Sequence, residues 1–376
     1  MNSYSGRHLH IVSFNIPDPP DYGGVMDVFY KIKTLSSLGV RITLHCFHYG
    51  REYSPRLEAI CEKVYYYPRK TFYRAIYSAV PYIVGSRQSD DLLANLSQDA
   101  HPILFEGLHT CFYLNHPALK HQFKAVRMHN VEWEYYRSLK EQERNYLLKF
   151  YFYYESKKLR RFEEELSHAD HVFAISHSDA EYLRHSSGKV TYAGAFHPHD
   201  EVTALTGTGD FVLYHGNLSV VENHQAAVYI LKKILPGISM PLVIAGKNPL
   251  PALKKGLAGN PQVRLVENPS AAMMDELQRN AQIHLLPTFQ STGVKLKLIN
   301  ALYTGRHCIA NSAMISGSGL ESLCTMADEP AAWIQAIHHL QHREMTGDIL
   351  AERNLFLQNQ YSNRLHALHI VKTIYG

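Results

Sequence analysis

The groups best suited to hold an anion lie in residues 285–311, LLPTFQSTGVKLKLINALYTGRHCIAN. An apolar run ends at Pro287, and a polar loop then holds Ser291, Thr292 and Gly293. A helical pattern follows from about Val294 to Thr304, and Gly305 stops it. Free backbone N–H groups and the positive dipole end make the start of such a helix attractive to a phosphate, and glycine permits close approach. Lys295 and Lys297 fall in the first turn, where the dipole alone favours acids. Two cations there make sense if a diphosphate sits between them. The alternative is an ordinary turn with two solvated lysines.

Other turns carry similar chemistry. In FVLYHGNLSVVENHQAA a strand ends at His215, Gly216 and Asn217 form the turn, and a helix starts near Val221. AGKNP, with Lys247, is built alike. Either could be a plain βα loop, but ligands of open α/β sheets bind beyond the carboxyl ends of strands, where both turns lie. In the first half, AVRMHNVEWEYY puts His129 and Asn130 just after a strand, and Glu106 and His109 follow PILF. A strand-end histidine suits proton transfer or phosphate contact, or simply a hydrogen-bonded loop. Gly23 and Gly24 follow the first strand and its prolines, and would let a ligand approach.

These turns need a scaffold, and the apolar pattern supplies one. HLHIVSFNIP reads as a buried strand, an amphipathic stretch spans 25–38, and Gly39 ends it. RITLHCF then alternates Ile42, Leu44 and Cys46 inward with Arg41, Thr43 and His45 outward, which completes a βαβ unit. Short apolar runs recur at 102–105, 123–128, 171–175 and 190–192, mostly separated by helical stretches. A second series runs FVLYHGN, MPLVIAGKNP, VRLVENPS, AQIHLLPT and HCIAN. The pattern predicts an α/β fold with two doubly wound, Rossmann-like parallel sheets. ALTGTG, residues 204–209, is the linker candidate. The expected units are residues 1–204, residues 205–358 and a closing helical segment, 359–376.

Length and composition bound the rest. The chain has 376 residues, enough for two domains of the usual ~150. A 45% apolar share excludes a disordered chain, and a net charge of +4 is too mild to argue for nucleic acid. GxGxxG and GxxxxGK[ST] are both absent, so neither a dinucleotide fold nor a P-loop enzyme is supported. No two of the five cysteines stand at zinc-ligand spacing, and their odd number fits reduced thiols. Without a signal-peptide pattern or a run of ~20 apolar residues, a cytoplasmic location is expected.

Taken in order, these motifs resemble the GT-B-fold nucleotide-sugar glycosyltransferases, specifically the retaining family 4. The matches are Gly23-Gly24 after the proline-rich strand exit, RMHN with His129, and HADHVFAIS with Ser176. LYHGNLSVVEN, LVIAGKNP, VRLVENPS, AQIHLLPT, STGVKLKLINALYTGRHCIAN and the closing QYSNRLHALHIVKTI continue the series. The resemblance implies two Rossmann-like domains facing a cleft, with a C-terminal helix returning to the first. It implies a nucleotide diphosphate-sugar donor on the second domain and an acceptor on the first, near Gly23, Gly24, Glu106 and His109. Gly216, Asn217, Lys247 and the Gly293-Val294 backbone would contact the diphosphate, with Lys295 and Lys297 adding charge. His129 would lie near the transferred sugar. No metal or other cofactor is implied. The chain departs from the family at Thr292 and Asn300, which stand where members commonly carry two glutamates. Thr292 can still bond a sugar hydroxyl, and Asn300 a ribose hydroxyl more weakly than a carboxylate would.

The expected function is sugar transfer to a saccharide or lipid-linked acceptor in surface polysaccharide or glycolipid synthesis. The alternatives are a catalytically degenerate scaffold in a polysaccharide complex and a nucleotide-sugar epimerase. The missing glutamates count against the epimerase. Residues 63–89 hold five basic and seven aromatic residues and no acid, which suits contact with the inner face of an anionic membrane. Residues 146–154 hold six aromatics, and there burial in the core is the simpler expectation. No nucleic-acid-binding motif is present.

Overall fold

A computed structural model describes residues 4–71, 78–185, 187–257, 259–289 and 296–376. The chain divides into two units. Of the described residues, those up to 198 and the C-terminal 361–376 form the first, and those from 199 to 360 form the second. ALTGTG is anchored within the second unit and is no free linker. Gly207 bridges to Met345, and the Gly209 N–H donates to Gln282 Oε1.

The first unit holds seven parallel strands: β1 (His8–Ser13), β2 (Arg41–His48), β3 (Lys63–Pro68), β4 (Ile103–Glu106), β5 (Lys124–Met128), β6 (His171–Ala174) and β7 (Val190–Tyr192). Their order is β3-β2-β1-β4-β5-β6-β7. The strands read as unbroken apolar runs because both faces are covered. Leu9, Ile11, Leu104 and Phe173 pack on one side with the helix Gly23–Ser37 and the C-terminal helix Asn363–Tyr375. Val12, Phe105, Val126 and Val172 pack on the other. This double burial corrects the outward placing of His45. It is fully buried, between His10 Nδ1 at 2.9 Å and the Tyr67 hydroxyl at 2.8 Å.

The second unit holds six parallel strands: β8 (Val212–Asn217), β9 (Leu242–Lys247), β10 (Val263–Glu267), β11 (Ile283–Leu286), β12 (His307–Ala310) and β13 (Thr325–Met326). Their order is β10-β9-β8-β11-β12-β13. Helices Val221–Tyr229, Leu296–Thr304 and Pro330–Leu340 accompany them. Each sheet reverses its winding once, between β1 and β4 and between β8 and β11. Ligand crevices form at such switch points, at the carboxyl ends of the strands.

Candidate active site

At the switch point of the first sheet lies a buried charge network. Helix Gly23–Ser37 brings Asp27 and Lys31, one turn apart, to the ends of β4 and β5, and all four charged side chains there are fully buried. Arg127, the penultimate residue of β5, grips Asp27 with Nε at 3.0 Å and Nη2 at 2.9 Å, and donates also to the Ala193 and Gly194 carbonyls. Lys31 Nζ stands 3.0 Å from Asp27 and 2.8 Å from Glu106. His129 Nε2 lies 2.9 Å from Glu106 Oε2. Burial opposes ionisation of Asp27, yet Arg127 and Lys31 hold its carboxyl well below the usual range. Burial likewise works against Glu106, but Lys31 and His129 outweigh it and lower its pKa.

Ligand atoms of Asp27, Glu106 and His129 lie within 4.8 Å of one another, close enough in principle for a metal ion. The two carboxylates already have two cations, Lys31 and Arg127, at contact distance. The side chains therefore balance as they stand, and the network works as a rigid mount for His129.

Beside this mount lies His109, together with Glu132, Arg87 and Phe14, which the sequence motifs did not single out. His109 Nδ1 is buried without a hydrogen bond and stands 3.8 Å from Glu132, the first residue of helix Glu132–Gln142. Burial pushes the Glu132 carboxyl up to about 8, with Arg87 opposing and Glu163 adding to the rise. The same burial, with Arg87, drives His109 well down. Phe14 lies against both His109 and His129, with ring centroids 5.4 and 5.5 Å away. Gly23 and Gly24, expected in a loop, are the first residues of the helix, and a Cβ on Gly24 would meet Phe14 at 2.8 Å.

The second unit has a cationic centre at its own switch point. Gly216 is near the end of β8, and Lys297 rises from the first turn of helix Leu296–Thr304. Lys297 Nζ donates to Asn223 Oδ1 and faces the Tyr214 ring at 5.4 Å. A Cβ on Gly216 would stand 2.7 Å from that ammonium, so glycine is what admits it. Asn223 is itself fixed, donating to the Asn217 carbonyl at 2.9 Å. His215 is buried, and burial with His284 and Lys297 pushes it down to about 3, so it is neutral here.

The remaining sequence-predicted positions divide as follows. Asn217 is exposed, and its side chain accepts from Ser219. Lys247, also exposed, ends β9 and pairs in register with Asn217. Asn300 accepts from His199 Nε2 at 3.0 Å, so a ribose contact requires His199 to yield. Thr292, Gly293, Val294 and Lys295 lie outside the described residues. Two cavities of about 480 and 400 Å³ lie elsewhere, around Arg353 and around His10, near the amino ends of the strands. The polar groups just described converge at the opposite, carboxyl ends, where the switch points are.

Residues 209–343 match the family model of the glycosyl transferases group 1. A protein of Klebsiella pneumoniae, an uncharacterized 44.6 kDa protein in the cps region, is 25% identical over 94% of this chain and 96% of its own length. Among solved structures, that of TarM has a TM-score of 0.68 at 9% identity, covering 100% of both chains. A glycosyltransferase from Rickettsia africae has a TM-score of 0.64 at 12% identity over 98% of each chain. The lipopolysaccharide outer core galactosyltransferase WaaB scores 0.60 at 12% identity over 98% of this chain and 99% of its own. With the group 1 sequence across residues 209–343 and the two-sheet architecture of these proteins around it, this chain is a glycosyltransferase of the GT-B fold.

Proposed function

We propose that this enzyme moves a sugar from a nucleotide diphosphate-sugar to a saccharide or lipid-linked acceptor, with retention, during assembly of a surface polysaccharide or glycolipid. The observation that carries the donor assignment is Lys297. It is seated over Gly216 at the switch point of the second sheet and oriented by Asn223. A departing nucleotide diphosphate gains negative charge, and a fixed cation there lowers the barrier more than solvent water can. Lys247 and Lys295 would extend the same field, and Thr292 with the Gly293-Val294 backbone would bond the diphosphate and sugar.

The acceptor hydroxyl would attack the face the diphosphate leaves, with a phosphate oxygen taking its proton. The two carboxylates beside His129, Asp27 and Glu106, are held by Arg127, Lys31 and His129 and so are not free to act as a covalent nucleophile. His129 would contact the transferred sugar, and His109 with Glu132 the acceptor. No metal or cofactor enters this scheme. The relative in a cps region supports a polysaccharide role. Among the described residues no helix is long and apolar enough to cross a membrane.

A scaffold reading has one observation in its favour, the replacement of two common glutamates by Thr292 and Asn300. Donor hydrolysis separates the two. Purified protein should slowly release a nucleoside diphosphate from one of the common nucleotide-sugars, and Lys297→Ala should slow that release about 10²-fold or more. No release from any donor, with acceptor lipid extracts supplied, would favour the scaffold.

A further inference from the structure

The helix Tyr146–Phe162 reverses the burial its composition suggested. Tyr146, Leu147 and Phe150 are 85%, 82% and 63% exposed, and Leu148, Tyr153 and Tyr154 are exposed as well. Six of the seventeen exposed large apolar side chains among the described residues thus lie within nine positions. The opposite face is firmly held. Glu155 accepts from the Tyr82 N–H at 2.7 Å, Ser156 donates to the Trp133 carbonyl, and Leu159 lies in the core. The aromatic tip is therefore presented by a fixed helix. Residues 63–89, the other basic and aromatic stretch, contain strand β3 and a largely buried run at 81–87, and 72–77 lie outside the described residues.

Charge selects the occupant. From Arg144 to Arg161 there are six basic residues, Arg144, Lys149, Lys157, Lys158, Arg160 and Arg161, and one acid, the buried Glu155. Tyr146, Phe150, Tyr153, Lys157 and Arg160 follow one another at helical spacing, so one exposed face runs from an apolar tip to a basic stripe. A second copy related by a two-fold axis would set this basic stripe either against its own image or, with the helices antiparallel, on the partner's aromatic tip, in neither case against counter-charge. It would also have to bury about 800 Å² on each partner. An anionic bilayer satisfies both halves of the face at once. Leucine and phenylalanine enter the acyl boundary, tyrosines lie among headgroups, and the cations meet anionic lipid.

We propose that the exposed face of helix Tyr146–Phe162, from its aromatic tip to its basic stripe, is a docking surface for anionic membrane lipid. The proposal does not depend on the donor or on turnover, because vesicle binding reads it directly. The test is flotation of the full chain with phosphatidylcholine vesicles and with vesicles containing phosphatidylglycerol. Wild type should float with the anionic vesicles and be released by salt. L147E/F150E should weaken partitioning at least about tenfold with an unchanged melting midpoint, since both side chains face solvent. K157Q/R160Q/R161Q should lose about fivefold for each charge removed. In F150W the added tryptophan emission should shift to the blue on binding. The proposal is overturned if wild type does not float, or if both variants float as well as wild type. It is equally overturned if light scattering finds a wild-type dimer that L147E/F150E dissociates.

Discussion

Lys31→Met is the sharpest test of the first unit's charge network. The ammonium stands 3.0 Å from Asp27 and 2.8 Å from Glu106, and all three side chains are fully buried. Removing it leaves Asp27 with Arg127 but Glu106 with His129 alone. Breaking a buried ion pair from one side costs about 3–5 kcal/mol. For a unit of this size each kcal/mol is worth about 2–4 °C, so the melting midpoint should fall by about 6–20 °C. The sign with pH is fixed. Without Lys31 the folded-state pKa of Glu106 rises above its unfolded value, so the variant loses further stability as pH climbs through the carboxylate range. Its deficit should be larger at pH 8 than at pH 5. Calorimetry and urea denaturation at both pH values measure this, and adding Glu106→Gln should recover more than half of the loss. A deficit below about 1 kcal/mol, or one that ignores pH, would refute the argument.

Three further outcomes follow from the geometry. His215, His284 and His366 are pushed by burial down to about 3, 4 and 3. They stay neutral in the folded chain while the unfolded chain protonates them near pH 6.5, so stability should fall with acidity below that pH. Three such groups give about 4 kcal/mol per pH unit at the steepest, visible as a collapse of the urea midpoint between pH 7 and 5. Glu132→Gln removes a carboxyl whose folded pKa lies up at about 8. Ionising that carboxyl costs stability as pH rises toward 8, so the variant should gain about 2–5 kcal/mol at pH 8 and little at pH 5 by the same denaturation. Gly216→Ala places its Cβ against the tip of the Lys297 side chain, which can swing aside. Its stability should change by under about 1 kcal/mol, while donor hydrolysis falls about tenfold or more as the ammonium moves.

The parallel sheets were legible because the strands are short apolar runs separated by helical stretches, those of the second sheet closing in Gly, Asn or Pro. Gly216 and His129 drew attention because they stand at such strand ends, Lys297 because it stands in the first turn of a helix. Charged residues hidden inside the first unit were not. Asp27 and Lys31, four apart on a helix, look like a solvated surface pair, and only the β4–β5 neighbourhood shows that they are buried between Glu106 and Arg127. Polar type misled at His45 for the same reason, since that face of the sheet is covered and His10 and Tyr67 hold the ring inside. The helix Tyr146–Phe162 failed in the opposite sense. Its apolar residues read as core, but Glu155, Ser156 and Leu159 occupy the packing face and turn the aromatics outward. The two-residue strand β13 is too short for any periodicity to show.

The claim that a nucleotide diphosphate-sugar binds around Lys297 is tested most directly by thermal shift against UDP, GDP and ADP, with wild type and Lys297→Ala in parallel. A ligand at about 100 times its Kd adds about 2.7 kcal/mol to the folded state. One nucleotide should raise the wild-type midpoint, and the shift should disappear in Lys297→Ala. No shift with any nucleotide, or an equal shift in the variant, contradicts the claim.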